Sequence, residues 1–135
     1  MQANAKWVDG FQSIVDNGRG HSVVLDLPED LGGDNIGATA LELAILGFSG
    51  CISTIFAMVC KNSGVEFSAF DVKLNAEKPK GAATVSEVTG TATVTSDADE
   101  EKLQKMFAKT MTTCPVGVLF DKAGIEERVE LVINR

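Results

Sequence analysis

Leu43-Ala44-Ile45-Leu46-Gly47-Phe48-Ser49-Gly50-Cys51 opens a stretch that runs to Cys60 without a charged residue. Eighteen such residues reach the lower limit for a membrane-spanning helix. Gly47, Ser49, Gly50, Ser53 and Thr54 interrupt the run. Its flanks carry no Trp/Tyr belt and no basic cluster, only Lys61. A helix that is apolar on every side also suits the centre of a protein or of a dimer, and the interruptions and flanks favour that placement. Thr39 is a good cap for its start and Gly64 for its stop, so the helix is expected from near Thr39 to about Asn62. The rest of the chain offers only short helices to cover it, so a soluble homodimer is expected.

Outward from this helix the pattern changes to short strands. Ala5–Val8 and Phe11–Val15 flank a turn at Asp9-Gly10, and Asp16-Asn17-Gly18-Arg19-Gly20 is a second turn. Val23, Leu25 and Leu27 alternate as a half-buried strand does, and residues 28–37 form a glycine-broken loop. After the helix, Phe70, Val72, Leu74 and Ala76 share one strand face. A second strand is expected from about Ala83 to Thr95, across a turn at Lys78–Gly81. Asp97-Ala98-Asp99-Glu100 resembles a capping box with an acidic first turn, and Leu103, Met106, Phe107 and Met111 then recur at helical spacing. Pro115 disfavours helical geometry at Cys114 and opens a short helix that ends near Gly124. Val129, Leu131 and Ile133 form a last strand. The order reads as α+β, one domain over residues 1–135.

Composition narrows the function. A chain of 135 residues that is 44% hydrophobic has enough for a core. A net charge of −7 with no basic cluster argues against nucleic-acid binding. The N-terminus lacks the basic start and apolar stretch of a signal peptide, and an odd number of cysteines suggests a reducing, cytoplasmic setting. With a single histidine, His21, a Cys/His zinc site is not expected, and no other cofactor is implied. Leu31-Gly32-Gly33-Asp34-Asn35-Ile36-Gly37 lacks the spacing of a phosphate loop and reads as a mobile loop.

The three cysteines carry the chemistry. Cys51 and Cys60 lie nine residues apart, on opposite helix faces and roughly 13.5 Å apart along the axis. A disulfide needs Cα atoms within about 7 Å, so a redox pair within the chain is read as Cys51 with Cys114, with Cys60 left free. Cys114 would cap the helix that begins at Pro115, where unpaired N–H groups favour a thiolate. Cys51, mid-helix, needs a cation from elsewhere. Arg19, in the hairpin turn, is the candidate. Glu42 is the one charge close to the start of the apolar run, in the first turn of the helix.

With these residues in view, the chain resembles the OsmC/Ohr family of osmotically inducible and organic hydroperoxide resistance proteins. The signature is Leu41-Glu42-Leu43 leading through Gly47 to Gly50-Cys51, with Cys114-Pro115-Val116 about sixty residues later. In the peroxidase branches a glutamate follows Asn-Pro and precedes the cysteine by ten residues. Here Ala40 and Leu41 hold those Pro and Glu places and Glu42 precedes Cys51 by nine, a pattern nearer the OsmC-like branch. The resemblance implies strands wrapped around a long central helix in an intertwined homodimer, with sites at the subunit interface. It implies a thiol-dependent peroxidase for organic hydroperoxides, with hydrogen peroxide as a further candidate. Cys51 would attack and Cys114 would resolve the sulfenic acid to a disulfide. Arg19 and Glu42 stand for the arginine and glutamate that hold the thiolate, and dihydrolipoyl groups or other thiols would restore the dithiol. Neither metal nor flavin is implied. The competing readings are a non-catalytic dimer of the same fold, binding an apolar small molecule or sensing redox state, and a small membrane-embedded protein.

Overall fold

The computed structural model describes residues 1–135, which divide into two compact units, Met1–Ala44 and Ile45–Arg135. The first holds an antiparallel meander of β1 (Asn4–Asp9), β2 (Gln12–Asp16) and β3 (Ser22–Leu25). Both expected hairpin turns are present, with Gly10 and Gly18 at positive φ as tight turns require. The third strand is shorter than its alternation suggested. At Asp26 the backbone N–H turns to the Ala38 carbonyl, and the buried Asp26 carboxylate takes over the chain that follows. It accepts from the N–H groups of Leu27, Asp34 and Ile36. The glycine-rich loop is thus hydrogen-bonded around one carboxylate rather than loose.

Helix α1 spans Ala40–Asn62 and begins as expected. Glu42 N–H donates to Thr39 Oγ1 at 3.1 Å, and Thr39 N–H donates to the Glu42 carboxylate at 2.7 Å. Two otherwise unpaired donors are satisfied by this reciprocal exchange. The helix is long and apolar enough to cross a membrane, and 28% of its most apolar window is buried within the chain.

The second unit places β4 (Ala69–Glu77) and β5 (Glu87–Thr95) antiparallel, with β6 (Glu126–Asn134) parallel to β5 on its other side. The parallel pair is joined through α2 (Glu100–Thr113) and α3 (Pro115–Lys122), the kind of crossover that parallel strands demand. Strand β5 starts four residues later than its Val/Thr content suggested. Glu77, the last residue of β4, pairs with Glu87, and Ser86 still bonds to Glu77 and Glu126, so residues 83–85 lie beyond the paired strands. The cap of α2 is Asp99, whose carboxylate accepts the Lys102 N–H.

Phe48, Ile52 and Phe56 recur at four-residue spacing on α1 and are fully buried, with Cys60 on the next turn. They meet Val88, Ala92 and Val94 of β5 and Leu103 and Phe107 of α2 in one core. Phe56 stacks on Phe70 with ring centroids 4.0 Å apart, and Phe48 meets Phe120 edge to face at 5.0 Å. Packing of this kind contributes about 0.5–1.5 kcal/mol per aromatic pair beyond area burial.

Candidate active site

Cys114 sits at the break between two helices. It ends α2, its N–H donating to the Thr110 carbonyl, and it caps α3 in the extended conformation that the following proline requires. Its side chain is fully buried, with Sγ 3.4 Å from the Gly117 N–H that it accepts. Cys51 lies on α1, half-buried, between Phe48 and Ile52 of the core stripe. The two sulfurs are 2.7 Å apart, and both thiols are free. A covalent link would need about 2.05 Å. The separation of 63 residues in sequence is thus reduced to direct contact.

The two thiols are not equivalent. Burial pushes the Cys114 thiol up, to about 11, with the hydrogen bond to Cys51 acting in the same direction and the Gly117 N–H opposing it. The helix N-terminus predicts a favoured Cys114 thiolate, and burial reverses that expectation. The N–H groups are present, but a fully buried sulfur loses more from water than those of Gly117 and Val116 return. Cys114 keeps its proton and donates toward Cys51 Sγ. Cys51 is the acceptor and the sulfur with access to solvent. Cys60 is fully buried, and burial raises its thiol too.

Glu42 is exposed, and its carboxylate is engaged by the Thr39 N–H. This capping role accounts for its position. Arg19 lies in the β2–β3 turn of the first unit, exposed, with its own N–H donating to Asn17 Oδ1 and no acid paired with its guanidinium. No group of three or more His, Cys, Asp or Glu side chains converges as metal ligands do.

A carboxylate that spacing did not single out lies beside Gly117, the residue whose N–H donates to Cys114 Sγ. Glu127 of β6 has its Oε1 buried without a hydrogen-bond partner. Burial raises its pKa, and the Asp121 carboxylate adds to the shift. A side chain added at Gly117 would approach Glu127 Oε2 to 3.5 Å and Phe48 to 3.1 Å. The signal was available in the sequence. Glu127 has the same strand parity as Val129, Leu131 and Ile133, and so takes an inward position among apolar residues.

The sequence model of the OsmC-like protein family matches residues 32–130, which include both cysteines. The chain belongs to the OsmC-like family. Solved structures share its fold. An OsmC-like protein from Mycoplasma pneumoniae superposes with a TM-score of 0.87 at 11% identity, covering 99% of this chain and 96% of that one. An organic hydroperoxide resistance protein from Elizabethkingia anophelis, with thiocyanate bound, gives 0.77 at 21% identity, covering 98% and 94%. An organic hydroperoxide resistance protein OsmC from Legionella pneumophila gives 0.76 at 15% identity, covering 98% and 97%. No curated protein sequence matches this one. The OsmC-like fold expected from the two cysteine motifs is therefore the fold of this chain.

Proposed function

We propose that this protein is a thiol-dependent peroxidase for organic hydroperoxides, acting through Cys51 and Cys114. The observation that carries the reading is the contact of two free sulfurs, one half-buried and one buried. Family membership and the hydroperoxide resistance of solved relatives support a redox role.

In the proposed cycle the Cys51 thiolate attacks the outer peroxide oxygen. The O–O bond breaks, Cys51 becomes a sulfenic acid and an alcohol leaves after protonation. Cys114 then attacks the Cys51 sulfur, water leaves and a disulfide forms. A dithiol such as a dihydrolipoyl group returns both thiols. The buried, protonated Cys114 suits the resolving role, because it does not compete for the peroxide. Arg19 is proposed as the cation that serves Cys51, and the family resemblance is the ground for that assignment.

The site is proposed to work in a homodimer. In the first unit, Trp7 and Phe11 are 68% and 58% exposed. In the second, Leu46, Met58 and Leu119 are exposed too. A second copy would cover such surfaces without a membrane. Cytoplasmic location is part of the same proposal, and cell fractionation checks it against a membrane-embedded form.

The test is consumption of cumene hydroperoxide with a dithiol reductant. Wild type should turn over, Cys51→Ser should not, and Cys114→Ser should stall after one oxidation per chain. Undiminished turnover in Cys51→Ser overturns the reading. Three thiols untouched by excess hydroperoxide would favour the non-catalytic, ligand-binding dimer.

A further inference from the structure

We propose that Glu127 is the proton carrier of the thiol pair, taking the proton of Cys114 as it closes the disulfide with Cys51. The inference rests on the thiol-peroxidase reading above and adds a residue to it.

Three observations meet at Gly117. Its N–H lies on Cys114 Sγ, its bare α-carbon faces the Glu127 carboxylate, and Phe48 closes the remaining side. A side chain at Gly117 would press on Phe48 and only touch the Glu127 carboxylate, so the carboxylate lies in van der Waals range of this turn of α3. The Glu127 Oε1 is buried with no partner, although buried carboxylate oxygens are ordinarily hydrogen-bonded. The groups around it supply no cation. Asp121 on α3 carries the same charge, Phe48 on α1 is apolar, and Val88 is its register partner on β5. A carboxylate in this position is costly for stability alone. A base for a buried thiol is a reason for it.

The chemistry needs such a group. Cys114 holds its proton tightly, so it attacks slowly unless a base removes that proton. Burial makes the Glu127 carboxylate more basic than an exposed one, which brings it closer to the thiol it serves. Cys114 Sγ is hydrogen-bonded to Cys51 and to the Gly117 N–H and not to Glu127, so the carboxylate acts on it through one water. In the resolving step Glu127 accepts the Cys114 proton and the Cys114 thiolate attacks Cys51. The S–O bond of the sulfenic acid breaks, and the departing hydroxide takes the proton back from Glu127 as water. Protons and charge balance, and the carboxylate is regenerated.

An aromatic disulfide, 5,5′-dithiobis(2-nitrobenzoate), isolates this step without peroxide. Cys51 attacks the reagent and releases one thionitrobenzoate. Cys114 then attacks the mixed disulfide on Cys51 and releases a second. Glu127→Gln should leave the first phase unchanged and slow the second on the order of 100-fold near neutral pH. It should also remove the low-pH inflection from the pH profile of the second phase. Glu127→Asp keeps the carboxylate one methylene further back and should give an intermediate second phase. A second phase of wild-type rate and pH profile in Glu127→Gln overturns the proposal, as does an Asp variant as slow as the Gln variant. Because no hydroperoxide is used, failure of peroxidase turnover would leave this result standing. An unaltered second phase would in turn remove Glu127 while leaving the peroxidase reading intact.

Discussion

The two units of the chain solve the problem of burial in opposite ways. Met1–Ala44 contains one buried residue, and it is a carboxylate, Asp26. Its apolar side chains, Trp7, Val8, Phe11, Ile14, Val23 and Val24, are exposed. Ile45–Arg135 has a core of phenylalanines and aliphatic residues around α1. One unit has its own hydrophobic core, whereas a three-stranded sheet without one is marginal unless something covers it.

Removing the centre of the core should have the largest effect. Phe56 is fully buried between Phe67, Phe70 and Phe107. Phe56→Ala should cost about 3–5 kcal/mol, read by urea unfolding. A loss under about 1 kcal/mol would mean that the core does not carry the second unit.

Replacing Trp7 and Phe11 together by Ser should weaken the proposed dimer at least about tenfold, a change of about 1.4 kcal/mol. Sedimentation should find the double variant dissociated at concentrations where wild type is dimeric. A monomeric wild type at micromolar concentration would remove the basis for a site completed by a second copy.

Arg19 is the charged residue of the first unit with a proposed role at the site. Arg19→Ala should slow oxidation of Cys51 by about tenfold, the loss of one modest transition-state contact. Arg19→Lys should recover only part of the rate, since the planar fork is lost. A wild-type rate in Arg19→Ala would assign the cation elsewhere.

A smaller effect should appear in acid. Burial alone would raise the Asp26 carboxyl, but the N–H groups of Ile36, Leu27 and Asp34 outweigh it and hold the group below the ordinary carboxylate range. Its stabilisation is therefore present above that range and is lost as pH falls through the lowered value. Hydrogen exchange at the amides of Leu27, Asp34 and Ile36 should rise first in acid, and Asp26→Asn should show the same loosening already at neutral pH. Equal protection at pH 3 and pH 7 would contradict this role.

Much of this arrangement was legible in the residues. The alternation of Phe70, Val72, Leu74 and Ala76 gave β4 its inward face, and Cys114-Pro115 marked the junction of two helices, because both signals are local. The parallel pairing of β5 with β6 was not legible, since register between distant strands is set by tertiary packing. The acidity expected of Cys114 failed for the same reason. A helix N-terminus is visible in sequence, whereas the complete burial that overrides it is not. Glu42 read as a first-turn acid, and its exchange with Thr39 accounts for it. Glu127 was overlooked although its parity with Val129 was on view, because a charged residue at the start of a strand is ordinarily assigned to solvent.

The central claim is the pairing of Cys51 with Cys114, and counting thiols tests it most directly. The fully reduced protein should titrate three thiols per chain under denaturing conditions. After one equivalent of cumene hydroperoxide under anaerobic conditions it should titrate one. Peptide mapping should then find Cys51 linked to Cys114 and Cys60 free. A link through Cys60, or no thiol lost to excess hydroperoxide, would contradict the account.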